Sequence, residues 1–211
     1  RIVYGARSSL FIGVVATLMA TVIGVSLGIA AGYFGGYIDA VTMRIADVQL
    51  AFPAILLALA VMVVLGPGIR NLILVLGITG WVFFSRIIRG DVLAIKHREF
   101  VEAGRAVGAT EPYLIRRYVV PNIVSVSIII ATLTLARVII SESSLSFLGL
   151  GIEPPTPSWG SMLAEGRDYL ATGWWITTFA GFALMATVIG VNMIGDAVRD
   201  VLDPRLINTD E

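Results

Sequence analysis

Long apolar runs without charge dominate this chain and restrict what it can fold into. Residues 8–38 contain no Asp, Glu, Lys or Arg, and further apolar runs lie on both sides of a single polar segment. A helix of about 20 predominantly apolar residues crosses the hydrocarbon core of a bilayer. Only 14% of the residues are charged, whereas a soluble domain has about 25%. The sequence therefore predicts an all-α, polytopic helical membrane protein.

The apolar runs predict about five transmembrane helices. Their expected bounds are residues 8–33, 38–65, 71–95, 121–144 and 174–194. Gly35 to Tyr37 and Gly66 to Gly68 predict tight turns, and Pro53 predicts a kink in the second helix. Small residues recur every four positions in the first helix, so another helix of this chain or of a second subunit can approach it closely. These residues are Ala16, Ala20, Gly24, Gly28, Gly32 and Gly36.

The polar segment, residues 96–121, holds five of the fifteen basic residues and predicts two short helices. The first helix carries an apolar stripe at the i, i+3, i+4, i+7 spacing and ends at Gly108. The stripe consists of Phe100, Ala103, Gly104 and Val107, and the charged residues Arg98, Glu102 and Arg105 lie on another side, where opposite charges can pair. Thr110 is expected to cap the second helix, and Pro121 to begin the next long one. An apolar ridge rimmed by charge suits docking into a groove of a partner protein.

The distribution of basic residues predicts the orientation in the membrane. Seven of the fifteen Lys and Arg residues lie between positions 86 and 117, so residues 96–118 are expected to be cytoplasmic. Five spans then place residues 150–170 outside and residues 197–211 inside. The acidic excess of the 150–170 segment agrees with this orientation, whereas Arg1 and Arg7 disagree with it.

Polar residues inside the fourth predicted span are candidates for the translocation path. A charge within a span is costly and usually faces a bundle interior or a water-filled cavity. Arg137 and Glu142 are therefore expected to face other helices or a partner subunit. The full candidate set is Thr134, Arg137, Ser141, Glu142 and Ser144. In the second span, Arg44 and Asp47 are expected to form a pair near the membrane surface.

The sequence contains no pattern for catalysis or for cofactor binding. Lys96 is the only lysine and no phosphate-binding glycine motif precedes it, so no ATP site is expected in this chain. One histidine and no cysteine predict neither a metal site nor a catalytic triad. The zero net charge argues against nucleic acid as a partner. A transporter is therefore favoured over a membrane-bound enzyme. An ATP-independent secondary transporter or channel remains an alternative.

The polar segment resembles the "EAA" signature of permeases of binding-protein-dependent ABC importers. Glu102-Ala103-Gly104 is followed by three residues, Gly108, nine residues and Tyr118-Val119-Val120-Pro121. The spacing matches the family pattern at every position, with Gly104, Tyr118 and Val120 as departures. The resemblance implies a type I importer transmembrane domain over residues 1–211, with residues 96–120 as its cytoplasmic coupling loop. It implies that ATPase subunits are contacted by Arg98, Glu99, Phe100, Glu102, Ala103, Gly104, Arg105, Val107 and Gly108.

A second stretch is similar to the peptide branch of these permeases. Residues 144–160, SLSFLGLGIEPPTPSWG, together with YGARSSL, GYFGGYID and the Asp203-Pro204-Arg205 ending, resemble the second, "C-type", permease of the oligopeptide, dipeptide and nickel group. The resemblance implies a bacterial or archaeal plasma membrane and one more N-terminal transmembrane helix. It implies three kinds of protein partner: a second permease, identical or different, two ATPase subunits that bind the ATP, and an external solute-binding protein. The substrate stays open among dipeptides, longer peptides, glutathione and nickel chelates.

Overall fold

The computed structural model describes residues 1–202, and within this range all regular secondary structure is helical. The helices are α1 (Ile2–Phe34), α2 (Gly36–Leu50), α3 (Ala54–Leu65), α4 (Ile69–Ile95), α5 (Glu99–Ala106), α6 (Glu111–Leu114), α7 (Val120–Phe147), α8 (Trp159–Arg167), α9 (Leu170–Gly173) and α10 (Trp175–Leu202). A π-helical turn, Ile115–Val119, joins α6 to α7. The predicted all-α class is confirmed. The Asp203-Pro204-Arg205 ending lies outside the described residues.

Four segments are long and apolar enough to cross a membrane. They are α1, α4, the continuous helical stretch Glu111–Phe147, and α10. The pair α2 and α3 is also long and apolar enough, but the two helices meet at 89°. The pair makes a fifth span if it is counted as one broken crossing. About five spans were predicted, and the fold agrees. The expected single helix over residues 38–65 is wrong, since the chain breaks rather than kinks.

The break between α2 and α3 has a local cause. Pro53 has no amide hydrogen, and its ring restricts Phe52 to extended conformations. Gln49 also anchors the end of α2 on α4, because its amide donates to the carbonyl of Thr79 at 2.6 Å and its oxygen accepts from the Trp81 indole at 3.0 Å. With α2 fixed to α4 by side chains, the chain turns at Pro53 instead of continuing straight.

Helices α1 and α4 form the closest helix pair of the fold. A Cβ atom added at Gly28 would lie 2.9 Å from the carbonyl oxygen of Ser85, and one added at Gly32 would lie 2.9 Å from that of Arg89. A Cβ at Gly24 would meet the carbonyl of Trp81 at 2.5 Å. The small-residue repeat of α1 therefore packs on the backbone of α4 within the same chain, which was one of the two predicted alternatives.

The helix ends gather into two polar layers at opposite ends of the bundle. At one end, the Trp159 indole donates to the carbonyl of Ile2 at 3.3 Å, and the amide of Gly68 donates to the carbonyl of Gly151 at 2.8 Å. At the other end, the Tyr33 hydroxyl donates to the carboxylate of Glu111. The polar segment thus lies opposite the proline-rich segment, as the predicted orientation requires.

Candidate coupling loop and intramembrane polar residues

Helix α5 forms where the sequence predicts it. Arg98 occupies the N-cap position with an extended backbone, and Glu99 and Glu102 lie in the first turn, where negative charge favours a helix N-terminus. Arg105 lies in the last turn, where positive charge is favourable. The helix stops before Gly108, whose φ of 84° is a conformation that favours glycine. The predicted helix and its predicted end are confirmed.

The two faces of α5 have different environments. Val101 and Gly104 are buried, and a Cβ added at Gly104 would lie 2.9 Å from Leu114 Cδ2 and 3.2 Å from Tyr118 Cε2. Phe100 also packs on Tyr118, with ring centroids 5.7 Å apart, and is 39% exposed, whereas Val107 is 86% exposed. The predicted stripe is thus one face of α5, but its Gly104 edge is covered by Leu114 and Tyr118. Phe100, Ala103 and Val107 remain exposed.

The charges of the loop pair across its two helices rather than along α5. Arg105 donates to Glu111 through Nε at 3.3 Å and through a terminal nitrogen at 3.4 Å, and it lies 3.5 Å from the Tyr33 hydroxyl oxygen. These bonds to Glu111, followed by the one to Tyr33, raise the pKa of the Arg105 guanidinium. Within residues 1–202, Glu102 takes part in no ion pair. The expected pairing of Glu102 with Arg98 or Arg105 is therefore not observed.

Pro121 lies in the first turn of α7, and this helix continues directly from the π-helical turn before it. Thr110 occupies the N-cap position of α6, although its side chain makes no capping hydrogen bond. The chain then remains helical from Glu111 to Phe147. The π-helical turn ends directly before α7, so the wider coil accommodates a proline that has no amide hydrogen. The predicted helix start at Pro121 is therefore confirmed to within one residue, although no break separates α7 from the helical turns before it.

Glu142 lies inside the bundle of this chain, as predicted. Its side chain is fully buried and accepts a hydrogen bond from Ser146 Oγ at 2.7 Å and a longer one from Ser143 Oγ at 3.4 Å. The buried Ser9 of α1 and Ser158 at the start of α8 also face the carboxylate. Both hydrogen bonds to Glu142 come from α7, and the hydroxyls of α1 and α8 lie beside the carboxylate. Its strongest bond comes from its own helix rather than from another one.

The other candidate path residues do not share one environment. Thr134 is buried, whereas Arg137 is exposed on this chain and places its guanidinium carbon 4.8 Å from the centre of the Phe83 ring. Ser141 and Ser144 are half-buried and donate to the carbonyls of the residues four positions earlier, at 2.9 and 2.8 Å. Of the predicted polar face, Arg137 alone presents a charge to the outside of the chain.

Charges near the predicted cytoplasmic ends of α2 and α4 pair between these helices. Arg86 pairs with Asp47, and Arg89 forms a two-bond contact with Asp39. The predicted Arg44–Asp47 pair is wrong, because Arg86 of α4 approaches Asp47 more closely than a residue of the same helix. Within the described residues, no three His, Asp or Glu side chains are grouped where they could hold a metal ion.

Sequence reasoning missed the residues that come together only through the fold. Ser9 and Ser158 are 149 positions apart, and no sequence pattern links them. A local signal existed for Ser158, which forms a capping box with Ser161 at the start of α8. Tyr33 and Glu111 meet because α1 ends and α6 begins at the same side of the bundle. The sequence did not predict this contact.

The end of the bundle opposite the loop contains an open cleft of about 540 Å³. The proline-rich segment forms one wall, including Pro154, Thr156 and Glu153, and Ser161 and Glu165 of α8 form another. Arg1 also lines the cleft, and one of its terminal nitrogens donates to both carboxylate oxygens of Glu165, at 2.7 and 3.0 Å. A concave surface with both polar and apolar walls is therefore present on the predicted external side.

Comparison with known proteins gives one consistent result. The family model described as "binding-protein-dependent transport system inner membrane component" matches residues 24–208. The chain is 41% identical over 206 residues to the dipeptide transport system permease protein DppC of Alkalihalophilus pseudofirmus, covering 98% of this chain and 68% of that protein. It is 43% identical over 206 residues to the glutathione transport system permease protein GsiD of Escherichia coli, with 98% and 68% covered.

A further relative and a solved structure agree with this result. The di/tripeptide transport system permease protein DppC of Pseudomonas aeruginosa is 38% identical over 208 residues, covering 99% of this chain and 69% of that protein. An inward-facing structure of the MetNI methionine ABC transporter contains a chain that superimposes with a TM-score of 0.74 at 21% identity, covering 96% of both chains. The structural likeness supports the fold alone, and the sequence relatives are all transport permeases.

Proposed function

Since this chain belongs to the family of inner membrane components of binding-protein-dependent transport systems, we propose that it is the permease subunit of an ATP-driven importer for short peptides. The observation that carries the proposal is the arrangement of α5. This helix rests on the bundle through Val101 and Gly104, and the apolar residues beside this contact, Phe100 and Val107, are exposed. An apolar surface on a polar loop outside the spans is suited to binding a partner protein.

The proposed partner of this surface is a pair of ATPase subunits in the cytoplasm. Glu102, exposed on another side of α5, is free of ion pairs within residues 1–202 and is available to a basic group of the partner. ATP binding and hydrolysis then occur in the partners, and this chain supplies no catalytic residue. A second permease, identical or homologous, would complete the path, and Arg137 is the charged residue that this chain presents toward it.

The proposed substrate is a short peptide delivered at the opposite end. The relatives described above are named for dipeptide, di/tripeptide and glutathione transport, and these solutes share peptide bonds and carboxylates. The cleft between the proline-rich segment and α8 lies on the proposed external side. We assign it to contact with an external solute-binding protein. The proposed location is the plasma membrane of a bacterium or archaeon.

The test replaces one exposed apolar residue of α5 by a charged one. We expect Val107→Glu to abolish co-purification of the ATPase subunits, because burying an unpaired carboxylate in an apolar contact is costly. Tyr169→Glu is the matched control, since Tyr169 is 57% exposed at the opposite end of the bundle. Both variants and the parent chain are purified with the ATPase subunits and assayed in proteoliposomes for uptake of radiolabelled dialanine and glutathione.

The outcomes separate this proposal from its alternative. ATP-dependent uptake by the parent and the control, with loss of the ATPases in Val107→Glu, supports the importer. Uptake that proceeds in the absence of ATP would instead indicate a secondary transporter or channel. Retention of the ATPases by Val107→Glu would show that the exposed face of α5 is not their binding surface.

A further inference from the structure

The coupling loop is tied to the end of α1 by a cluster of three polar side chains. Tyr33 lies in the last turn of α1, Arg105 in the last turn of α5 and Glu111 at the first position of α6. The Tyr33 hydroxyl donates to Glu111, and Arg105 contacts both groups within 3.5 Å. Both short helices of the loop therefore share one contact point on the first membrane span.

The same end of α1 is held from the other side of the loop. Lys96, which lies before α5, donates through Nζ to the carbonyls of Gly32 and Tyr33 at 3.3 Å each. Carbonyls in the last turn of a helix have no partner within it, and a cation there is favourable. The Tyr33 ring is 7% exposed and lies in the core cluster that contains Ile95 and Val101. The end of α1 is thus enclosed by the polar segment.

Displacement of this end would move more than α1 alone. Gly24, Gly28 and Gly32 bring α1 against the backbone of α4, with no room for a side chain between them. Close-packed elements without voids shift together rather than deform. The pair α1 and α4 therefore behaves as one body that is attached to the loop at Tyr33.

We propose that Tyr33, Arg105 and Glu111 form the link through which movement of the coupling loop is transmitted to the α1–α4 pair. This inference rests on the proposed function, because it assigns the route of a force that the ATPase subunits generate. The three residues are positioning residues and touch neither nucleotide nor solute. The Arg105–Glu111 pair is about half exposed, with side-chain accessibilities of 48% and 47%, and exposed pairs add little to stability. The role of the cluster is to fix geometry.

The test changes one functional group of the cluster at a time in the complete transporter. Tyr33→Phe deletes the hydroxyl, and Glu111→Gln removes the charge while keeping the shape. Tyr37→Phe is the matched control, because Tyr37 follows the same turn, is 85% exposed and makes no hydrogen bond through its hydroxyl within the described residues. Each complex is reconstituted in proteoliposomes, and retained ATPase, ATP hydrolysis and uptake of radiolabelled dialanine are measured on the same preparation.

We expect Tyr33→Phe and Glu111→Gln to retain the ATPases and to hydrolyse ATP, while uptake per ATP hydrolysed falls by about fivefold or more. The control is expected to match the parent. Because the two groups act through one bond, the double variant should lose no more than the more affected single variant. This non-additivity, which a general loss of folding would not produce, supports the link.

Three results would overturn it. An unchanged ratio of uptake to hydrolysis in both single variants would show that the cluster transmits nothing. Loss of the ATPases from Tyr33→Phe would assign the cluster to shaping the docking surface instead. Additive losses in the double variant would mean that the two groups act separately. In each case the parent and the Tyr37→Phe control still show ATP-driven uptake, so the proposed function is tested independently by those two preparations.

Discussion

Glu142 is a buried carboxylate whose partners are serine hydroxyls rather than basic groups. Ser146 provides the shortest bond, and Ser9 and Ser158 bring α1 and α8 to the same point. A buried polar group is tolerated only when it is hydrogen-bonded, and removing it leaves its partners unsatisfied. We interpret Glu142 as the buried acceptor that fixes Ser143 and Ser146, on which Gly160 of α8 packs.

This interpretation predicts unequal effects of two substitutions at one position. Glu142→Ala should lower stability by about 1–3 kcal/mol, because the buried hydroxyls of Ser143 and Ser146 lose their acceptor, whereas Glu142→Gln keeps an acceptor and should cost less. Ser141→Ala is the control, since that hydroxyl bonds only to its own helix. Thermal unfolding of the purified complex in detergent measures the differences. Equal unfolding temperatures for Glu142→Ala and Ser141→Ala would contradict the assigned role.

Arg137 poses the opposite problem, because its charge is on the surface of the chain within a span. It lies ten residues before the end of α7 at Phe147, which places it about 15 Å inside that end at 1.5 Å per residue. A charge at the bilayer centre costs about 2.5–3.5 kcal/mol on insertion scales. Stacking on Phe83 offsets part of this cost. The remaining cost is removed if Arg137 faces the partner permease or a water-filled path.

We therefore expect Arg137→Leu to reduce peptide uptake by about tenfold or more, the loss of one interaction of roughly 1.4 kcal/mol, or to reduce assembly with the second permease. Arg137→Lys should restore part of the activity, because it keeps the charge but not the planar stacking group. Ile140→Leu, on the same exposed face, is the control. The measurements are uptake and complex yield. Wild-type uptake and wild-type complex yield in Arg137→Leu would show that Arg137 contributes to neither transport nor assembly.

At the scale of elements, the coupling helix depends on charge as well as shape. Glu102 lies on the exposed side of α5 and is expected to meet a basic group of the ATPase subunit. Glu102→Lys should weaken ATPase binding by about tenfold at low salt and less at high salt, because ions screen exposed charges over about 10 Å at 0.1 M. Binding of the ATPase subunits at two salt concentrations measures this. The control is Glu153→Lys at the other end, and equal weakening at both salt concentrations would argue against an electrostatic contact.

The sequence predicted those elements whose signals are local. The bounds of α5 follow from its charges and Gly108, and the turns at Gly35 and Gly66 follow from glycine. The residues on which a helix packs are not determined by its own local sequence. The spacing therefore placed Gly104 in the exposed ridge, whereas in the fold Gly104 packs on Leu114 and Tyr118. The place of Pro121 in the first turn of α7 was predicted, whereas no sequence signal indicated the π-helical turn that precedes it.

The bend at Pro53 and the assignment of site residues illustrate the same limit. A proline within a span predicts a disturbance, but the 89° angle depends on how Gln49 fixes α2 to α4. Charged residues of the spans were identified correctly, whereas their partners were not, since Asp47 pairs with Arg86 of another helix. Contacts between residues far apart in sequence are set by packing, and single-residue patterns do not encode them.

At the scale of the whole molecule, the two polar layers define opposite sides of the membrane. Most of the basic residues of the loop lie in one layer, and Glu153, Glu165 and Asp168 lie in the other. Arg1, which disagreed with the predicted orientation, is paired with Glu165 at 2.7 Å. Its charge is thereby neutralised within the external layer. The described fold thus accounts for Arg1, whereas Arg7 and Arg70, the latter at the start of α4, remain basic residues on the external side.

The orientation can be tested with two matched single cysteines, because these 211 residues contain none. Thr110 lies in the loop between α5 and α6, and Thr156 lies in the proline-rich segment, and both are exposed. In intact cells expressing this chain without ATPase subunits, a membrane-impermeant thiol reagent should label Thr156→Cys and not Thr110→Cys. Permeabilising the cells should make both residues reactive, which controls for accessibility. Basic loops are retained on the cytoplasmic side, and an odd number of spans then separates the two positions. Labelling of Thr110→Cys but not of Thr156→Cys in intact cells would show the opposite orientation. The loop would then be external and could not contact a cytoplasmic ATPase.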